Sequence, residues 1–368
     1  MAIKKSEEII SEASPHTIKK FNLIEEYVKA WAPKLLNTSN CYELVFIDCM
    51  CNSGEYRDKA GNCIYGTPVR VAKILDGFAK AYPPKTISMY FNDLSMEKVD
   101  YLSSLIKMNS PNCKINLSVK DGNVLLKEIA NHVTANANTS YLLVYDPYEA
   151  AIDWHALYPY LNNWGEVIIN HMLYDSTRAV KMAKSTQAIQ KYEQTYLEDI
   201  KALLPYGSDK SAYEKRIETI IKTLRNKHRY YIASFPFFNS RNTIVYDLIH
   251  CTNSIVGFRL YKQVAWKVFG GKSSTYNTFG QENQLTLDLD NDGQITTPTF
   301  AECYYVKDIA EYLQNKFCGK TNVPLAEVWA VLDNHPIFPA DGFRNEIKRE
   351  LKNLYGAAIT RSAISFRR

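Results

Sequence analysis

The sequence predicts an α/β chain with a Rossmann-like, doubly wound and mostly parallel sheet. Two observations carry this expectation. Five short apolar runs alternate with helical patterns between residues 41 and 172, and such alternation gives parallel strands joined by right-handed helical crossovers. Two further runs, YYIASFPFF (230–238) and TIVYDLIHCT (243–252), flank a four-residue turn from Asn239 to Asn242. That spacing predicts a hairpin, and so an antiparallel pair at the end of the sheet.

Each element has a local cause. Ser14-Pro15 opens an amphipathic helix, since serine caps and proline suits a first helical turn. Ile18, Phe21, Ile24, Tyr27, Val28 and Trp31 then share one side of it. The polar residues before it are expected to fray, and residues 1–40 form an N-terminal helical extension. YELVFID (42–48), ISMYFND (87–93), KINLSV (114–119), YLLVYD (141–146) and EVIINHML (166–173) are the five parallel strands. Helices are expected from Thr67-Pro68, through Val99 to Ile106, around Leu125 to Ile129 and near 153–162. Residues 176–228 are rich in lysine and glutamate without a strand signal, and read as a helical insertion. A helix over 255–269 completes a main domain of residues 41–269. Residues 270–368 form an accessory module: a polar segment, three short helical patterns between 303 and 355, and an extended end. That order suggests a winged-helix-like unit.

Composition bounds the function. Hydrophobic residues make up 46% and charged residues 23%, a globular balance rather than a disordered one. A formal net charge of +5 is compatible with a nucleic-acid partner without requiring one. A basic, apolar leader and an 18-residue apolar run are both lacking, so the chain reads as cytoplasmic, without membrane association. Its eight cysteines then read as reduced thiols. Cys49, Cys51 and Cys63 cluster, but no second pair completes a zinc spacing. No metal is expected, and the three read as buried thiols. DLDNDGQITTPT (288–299) imitates a calcium loop, yet Thr299 stands where a bidentate glutamate is required, which favours a polar turn. Arg216, Lys222, Arg225, Lys227, His228 and Arg229 give the insertion a basic end, and RSAISFRR (361–368) is a basic tail. Each reads equally as a phosphate contact or a solvated face.

Ligands of an open parallel sheet bind beyond the carboxyl ends of its strands, where the strand order reverses. FIDCMCNSGEY (46–56) lies there and supplies Asp48, Cys49, Asn52, Ser53 and Gly54. Asn52 and Gly54 tolerate left-handed backbone, which lets a cofactor approach the main chain. The three-glycine dinucleotide fingerprint is absent, which disfavours a pyrophosphate cofactor. Asp93, after the second strand, is placed for ribose hydroxyls, and Asp121-Gly122-Asn123, after the third, for an adenine amino group. With the antiparallel pair, these positions predict a class I methyltransferase sheet with S-adenosyl-L-methionine (SAM) as cofactor. The fourth strand ends in Asp146-Pro147-Tyr148-Glu149. Methylating an exocyclic amine requires its lone pair to be freed from conjugation. Asp146 and the Pro147 carbonyl are candidate acceptors for its N–H bonds, and Tyr148 a candidate stacking face. The plainer reading is an ordinary strand-to-turn junction.

HTIKKFNLIEEYVKAW (16–31), FIDCMCNSGEY (46–56), GTPVRVA (66–72), DPYEAAIDW (146–154) and IINHMLYDSTR (168–178) follow one another in an order that resembles the three-Cys-motif partner (TcmP) family of methyltransferase-like proteins. A more distant resemblance is to adenine-N6 methyltransferases of ribosomal RNA, which share the leading helix and an Asp-Pro-Pro-Tyr loop. The resemblance implies a cofactor loop at Asp48 and Gly54, a following element at Gly66 and Pro68, and a catalytic loop at Asp146, Pro147 and Tyr148. It places Asn170 and Arg178 at polar positions after the fifth strand; with Tyr56 these are the substrate-side candidates. It also implies a companion protein as partner. Asn52 replaces the first loop glycine, Cys49-Met50-Cys51 a Phe-Ala run, and Glu149 a glycine. The expectation is SAM-dependent N-methylation of a base amine in RNA or DNA. The alternatives are a methyltransferase-like binding module and a small-molecule N-methyltransferase.

Overall fold

A computed structural model describes residues 9–147, 151–161, 165–172, 186–197, 219–225, 231–238, 244–274 and 303–368. Tyr148, Glu149, Arg178, the calcium-like segment 288–299 and most of the insertion lie outside the described residues.

A short strand, β1 (Ser11–Glu12), precedes α1 (Pro15–Leu36). The Ser14 side chain caps α1 by accepting from the Thr17 amide. Next come β2 (Glu43–Asp48), the hairpin β3 (Glu55–Arg57) and β4 (Cys63–Tyr65), and α2 (Thr67–Ala81). The alternation continues with β5 (Thr86–Asp93), α3 (Met96–Leu105), β6 (Cys113–Val119), α4 (Gly122–Thr134), β7 (Thr139–Tyr145), α5 (Trp154–Leu161) and β8 (Glu166–His171). Beyond it lie α6 (Thr186–Tyr196), β9 (Tyr231–Phe238), β10 (Ile244–Thr252) and α7 (Ile255–Val268). The C-terminal part runs α8 (Val306–Phe317), β11 (Val323–Pro324), α9 (Leu325–Leu332), α10 (Arg344–Tyr355), β12 (Ala358–Ile359) and β13 (Ala363–Ser365).

The main sheet has seven strands in the order β6-β5-β2-β7-β8-β10-β9. β10 is antiparallel to both of its neighbours, and the other pairings are parallel. A reversal at the central first strand, closed by an antiparallel seventh, is the class I methyltransferase sheet that the sequence predicts. Two local expectations need correction. Residues 11–12 pair with Tyr56 and Arg57 instead of fraying, because the β3–β4 hairpin offers them an open edge. Cys63 is exposed on β4, while Cys49 and Cys51 are buried. The extended end expected after the last helix is present, with β13 pairing with both β11 and β12.

One face of the sheet packs on α1, α2 and α7, and its apolar cluster continues into the C-terminal helices through Ile309, Leu313, Leu332 and Ile347. The opposite face packs on α4, α5 and α6. The C-terminal part is joined to α7 by polar contacts as well. Arg259 makes a two-pronged bond to Asp333 at 2.7 and 2.5 Å, the fork geometry that suits guanidinium and carboxylate. Lys262 Nζ donates to the carbonyls of Leu332, His335 and Phe338 at 2.7–3.0 Å. Burial lowers this lysine to about 7.

α1 is fixed to the amino edge of the sheet by a buried polar knot. The Tyr27 hydroxyl donates to Glu166 at the start of β8, and His250 Nε2 lies 2.7 Å from the same carboxylate oxygen. A Cβ at Gly257 would meet Glu166 Oε1 at 2.4 Å, so only glycine lets α7 come this close. Tyr27→Phe removes a donor from a buried carboxylate, a cost of about 1–3 kcal/mol. We predict a melting temperature lower by about 2–6 °C; thermal unfolding followed by circular dichroism checks this, and an unchanged midpoint would show the knot to be dispensable.

Candidate active site

The parallel strands deliver their carboxyl ends to one edge, and three carboxylates meet there. Asp48 ends β2, Asp93 ends β5, and Asp146 follows β7. Asp48 is buried, and among the described residues its side chain accepts one long bond, from the Met50 amide at 3.4 Å. Burial first, then the Asp146 charge, raises its carboxyl from the ordinary 3.8 to about 7, with a smaller push from Asp93. Asp93 is buried as well, and its two oxygens accept from the amides of Asn52 and Ser95, each at 3.0 Å. It thereby ties the loop after β2 to the start of α3.

That loop is shaped by two left-handed residues, Asn52 at φ 59° and Gly54 at φ 78°. The Asn52 side chain accepts from the Ser53 amide at 2.7 Å, and asparagine is among the residues that tolerate this left-handed backbone. Ser53 Oγ donates to the Glu55 carbonyl. A Cβ on Gly54 would come within 2.5 Å of Leu102, so the glycine serves close packing as well as conformation. Gly122 plays a similar part, because a Cβ there would meet the Cys49 carbonyl at 2.7 Å. Asp121 is the N-cap of α4, accepting from the amides of Asn123 and Val124. Asn123 Oδ1 accepts from the Tyr145 hydroxyl at 2.9 Å.

A small, partly open recess of about 130 Å³ lies against this edge. Cys49, Asp121, Gly122, Asn123 and Pro147, all singled out from sequence, line it, together with the apolar Met50, Leu94 and Ala151. Its polar lining is Asn92, Asp121 and Asn123 with the cations Lys120 and Lys191. Asp48, Asn52, Ser53, Gly54, Asp93 and Asp146 do not line the recess. They form the loop and the acidic corner beside it.

Asp146 is held from two sides. Lys20 Nζ, from α1, lies 2.5 Å from Oδ2, and Asn170 Nδ2, near the end of β8, donates to Oδ1 at 2.5 Å. Asn170 Oδ1 is buried and unpartnered among the described residues, an acceptor awaiting a donor. Tyr56, on β3, packs its ring on Phe21 with centroids 4.9 Å apart. Burial and the nearby Asp48 and Asp146 charges push its phenol up. Lys20 was not singled out from sequence, although a signal existed. It stands three, four and seven residues before Leu23, Ile24 and Tyr27, on the buried stripe of α1.

The corner therefore has more negative than positive charge among its described side chains, and it suits a cationic group. An acid whose folded pKa is raised binds its proton more tightly when folded, so Asp48 costs stability as pH rises from about 4 to about 7. Asp48→Asn should thus raise the melting temperature by a few degrees at pH 8 and change it little below pH 4. Equal shifts at both pH values would contradict a buried, charge-crowded carboxyl.

No protein-family model matches the sequence, and no curated protein matches it. Among solved structures, the chain is similar to a candidate caffeoyl-CoA O-methyltransferase from Staphylococcus aureus, with 11% identity and a TM-score of 0.30 over 66% of this chain and 93% of that one. It is also similar to human methyltransferase-like protein 13 in complex with SAH, with 10% identity and a TM-score of 0.31 over 73% of this chain and 98% of that one. At scores of this size neither likeness bears on fold or function, which rest on the strand order and on the residues at the carboxyl edge.

Proposed function

We propose that the chain is a SAM-dependent N-methyltransferase acting on the exocyclic amine of a nucleic-acid base. The observation that carries this is the corner at Asp146. A carboxylate held by Lys20 and Asn170 sits beside an unpartnered buried amide oxygen of Asn170, next in the chain to Pro147, which helps to line the recess.

Bound SAM supplies a methyl group on a cationic sulfur. The recess residues Asp121, Gly122 and Asn123 would take its base, and Asp48 and Asp93 its polar, positively charged portion. This fit is supported by the raised carboxyl of Asp48, since a cation beside it relieves the repulsion from Asp146 and Asp93. An amine presents two N–H donors. Asp146 and Asn170 Oδ1, or the Pro147 carbonyl, would accept them and favour a pyramidal nitrogen with its lone pair free to attack. Lys20 and Asn170 act as positioning residues, holding the carboxylate in one orientation. A relation to the three-Cys-motif partner family, with a companion protein of that family, belongs to the same proposal and rests on the segments between residues 16 and 178.

One observation favours a competing reading. The Lys20–Asp146 ion pair occupies part of the carboxylate that must receive the amine, as it would in a methyltransferase-like binding module that does not turn over. Transfer of labelled methyl from SAM to nucleic acid separates the two. The wild-type chain is expected to transfer methyl groups, and Asp146→Ala to lose at least about 100-fold in rate, the scale for removing an electrostatic group from an active site. Its SAM affinity by calorimetry should stay within a few-fold. Undiminished transfer by Asp146→Ala would remove the residue from the mechanism, and no transfer by the wild type would favour the binding module.

A further inference from the structure

The C-terminal part has a topology with its own consequence. α8, β11, α9, α10 and the β12–β13 hairpin follow in that order, and the small sheet is ordered β11-β13-β12. This is a winged helix, in which the second helix of the helix-turn-helix is α10 and the hairpin is the wing. α10 buries Ile347 and Leu351. Helical spacing puts Asn345, Arg349, Lys352 and Asn353 on the opposite side, and all four are exposed. This outward face carries no carboxylate. Glu346 and Glu350 lie on its flank, half-buried, with Glu350 Oε1 3.7 Å from Arg349 Nε. Arg344 and Lys348 lie along the other flank over the ring of Trp329 on α9, at 5.8 and 6.0 Å.

Charge is concentrated in the same stretch of sequence. Residues 344–368 hold seven lysines and arginines against two glutamates, so they carry the whole of the chain's formal net charge of +5. Arg361 stands exposed in the turn of the wing, which is closed by the Thr360 amide donating to the Ala363 carbonyl.

We propose that α10 and the wing dock on duplex DNA, with α10 in the major groove. A groove about 12 Å wide admits one α-helix. Arginine and asparagine are the side chains that pair in two-pronged fashion with guanine and adenine edges there, and the flanking cations meet phosphates. The major groove of duplex RNA is too deep and narrow for such a helix. As a statement of which polymer carries the amine, the inference rests on the methyl-transfer reading. As a contact it stands on α10 and the wing, and binding measured without SAM separates the two.

The test is fluorescence anisotropy of the full chain with a labelled 30-base-pair duplex DNA of mixed sequence. Affinity in the micromolar range at about 50 mM salt is expected, falling at least about 100-fold by 200 mM as phosphate contacts require. The fourfold variant Asn345→Ala, Arg349→Ala, Lys352→Ala and Asn353→Ala should weaken binding at least tenfold while melting like the parent, because all four side chains are exposed. Lys222→Ala with Arg225→Ala, on the insertion, should bind like the parent. Equal binding by parent and fourfold variant, a larger loss in the insertion variant, or tighter binding to duplex RNA or single strands than to duplex DNA would each overturn the proposal.

Discussion

The carboxyl edge of the sheet is governed by repulsion among carboxylates. β2, β5 and β7 lie side by side, so parallel pairing brings Asp48, Asp93 and Asp146 to one edge. Like charges close together under a protein surface cannot all ionise without cost, because the local dielectric is far below that of water. Asp48, buried and held by one long amide bond among the described residues, bears that cost and holds its proton to about 7. Asp93 is stabilised by two backbone amides and Asp146 by a lysine. Among the described side chains the balance at this edge stays negative, which suits a sulfonium-bearing cofactor.

α1 makes the corner possible by spanning the sheet. Tyr27 ties it to Glu166 at the amino edge, and Lys20, about 10 Å further along the helix axis, reaches Asp146 at the carboxyl edge. The same helix carries Phe21 against Tyr56, which joins it to the β3–β4 hairpin. A helix that precedes the first strand in sequence is thus part of the site in space. Asn170 completes the arrangement from β8, spending its amide nitrogen on Asp146 and keeping a buried oxygen for a donor.

The large sheet was legible because its strands are short apolar runs with period-independent burial, separated by helices with evident caps; all seven lie within a few residues of the expected spans. The small strands at 11–12, 55–57 and 63–65 were not, since two- and three-residue pairings leave no periodic pattern. Around the site, the strand-end acids and the left-handed Asn52 and Gly54 could be read directly, because position and residue type coincide. Asp121 shows the limit of that reasoning. Its side chain caps α4, and no sequence pattern distinguishes an N-cap from a ligand-binding acid. Lys20 escaped notice because a lysine inside an apolar stripe is usually taken to extend its head to water, and only the fold reveals a carboxylate within its reach. The order of three short helices and an extended end was visible as a pattern. The charge on α10 became meaningful once Ile347 and Leu351 fixed which side faces outward.

The central claim is that the crowded carboxylates accept a cationic cofactor, and calorimetry with SAM between pH 5.5 and 7.5 tests it most directly. Binding that requires ionised Asp48 should strengthen by roughly tenfold or more across that range, and release protons near pH 7 as the bound cation lowers the pKa of this group. Absence of SAM binding throughout, or an affinity indifferent to pH with no proton release, would contradict it.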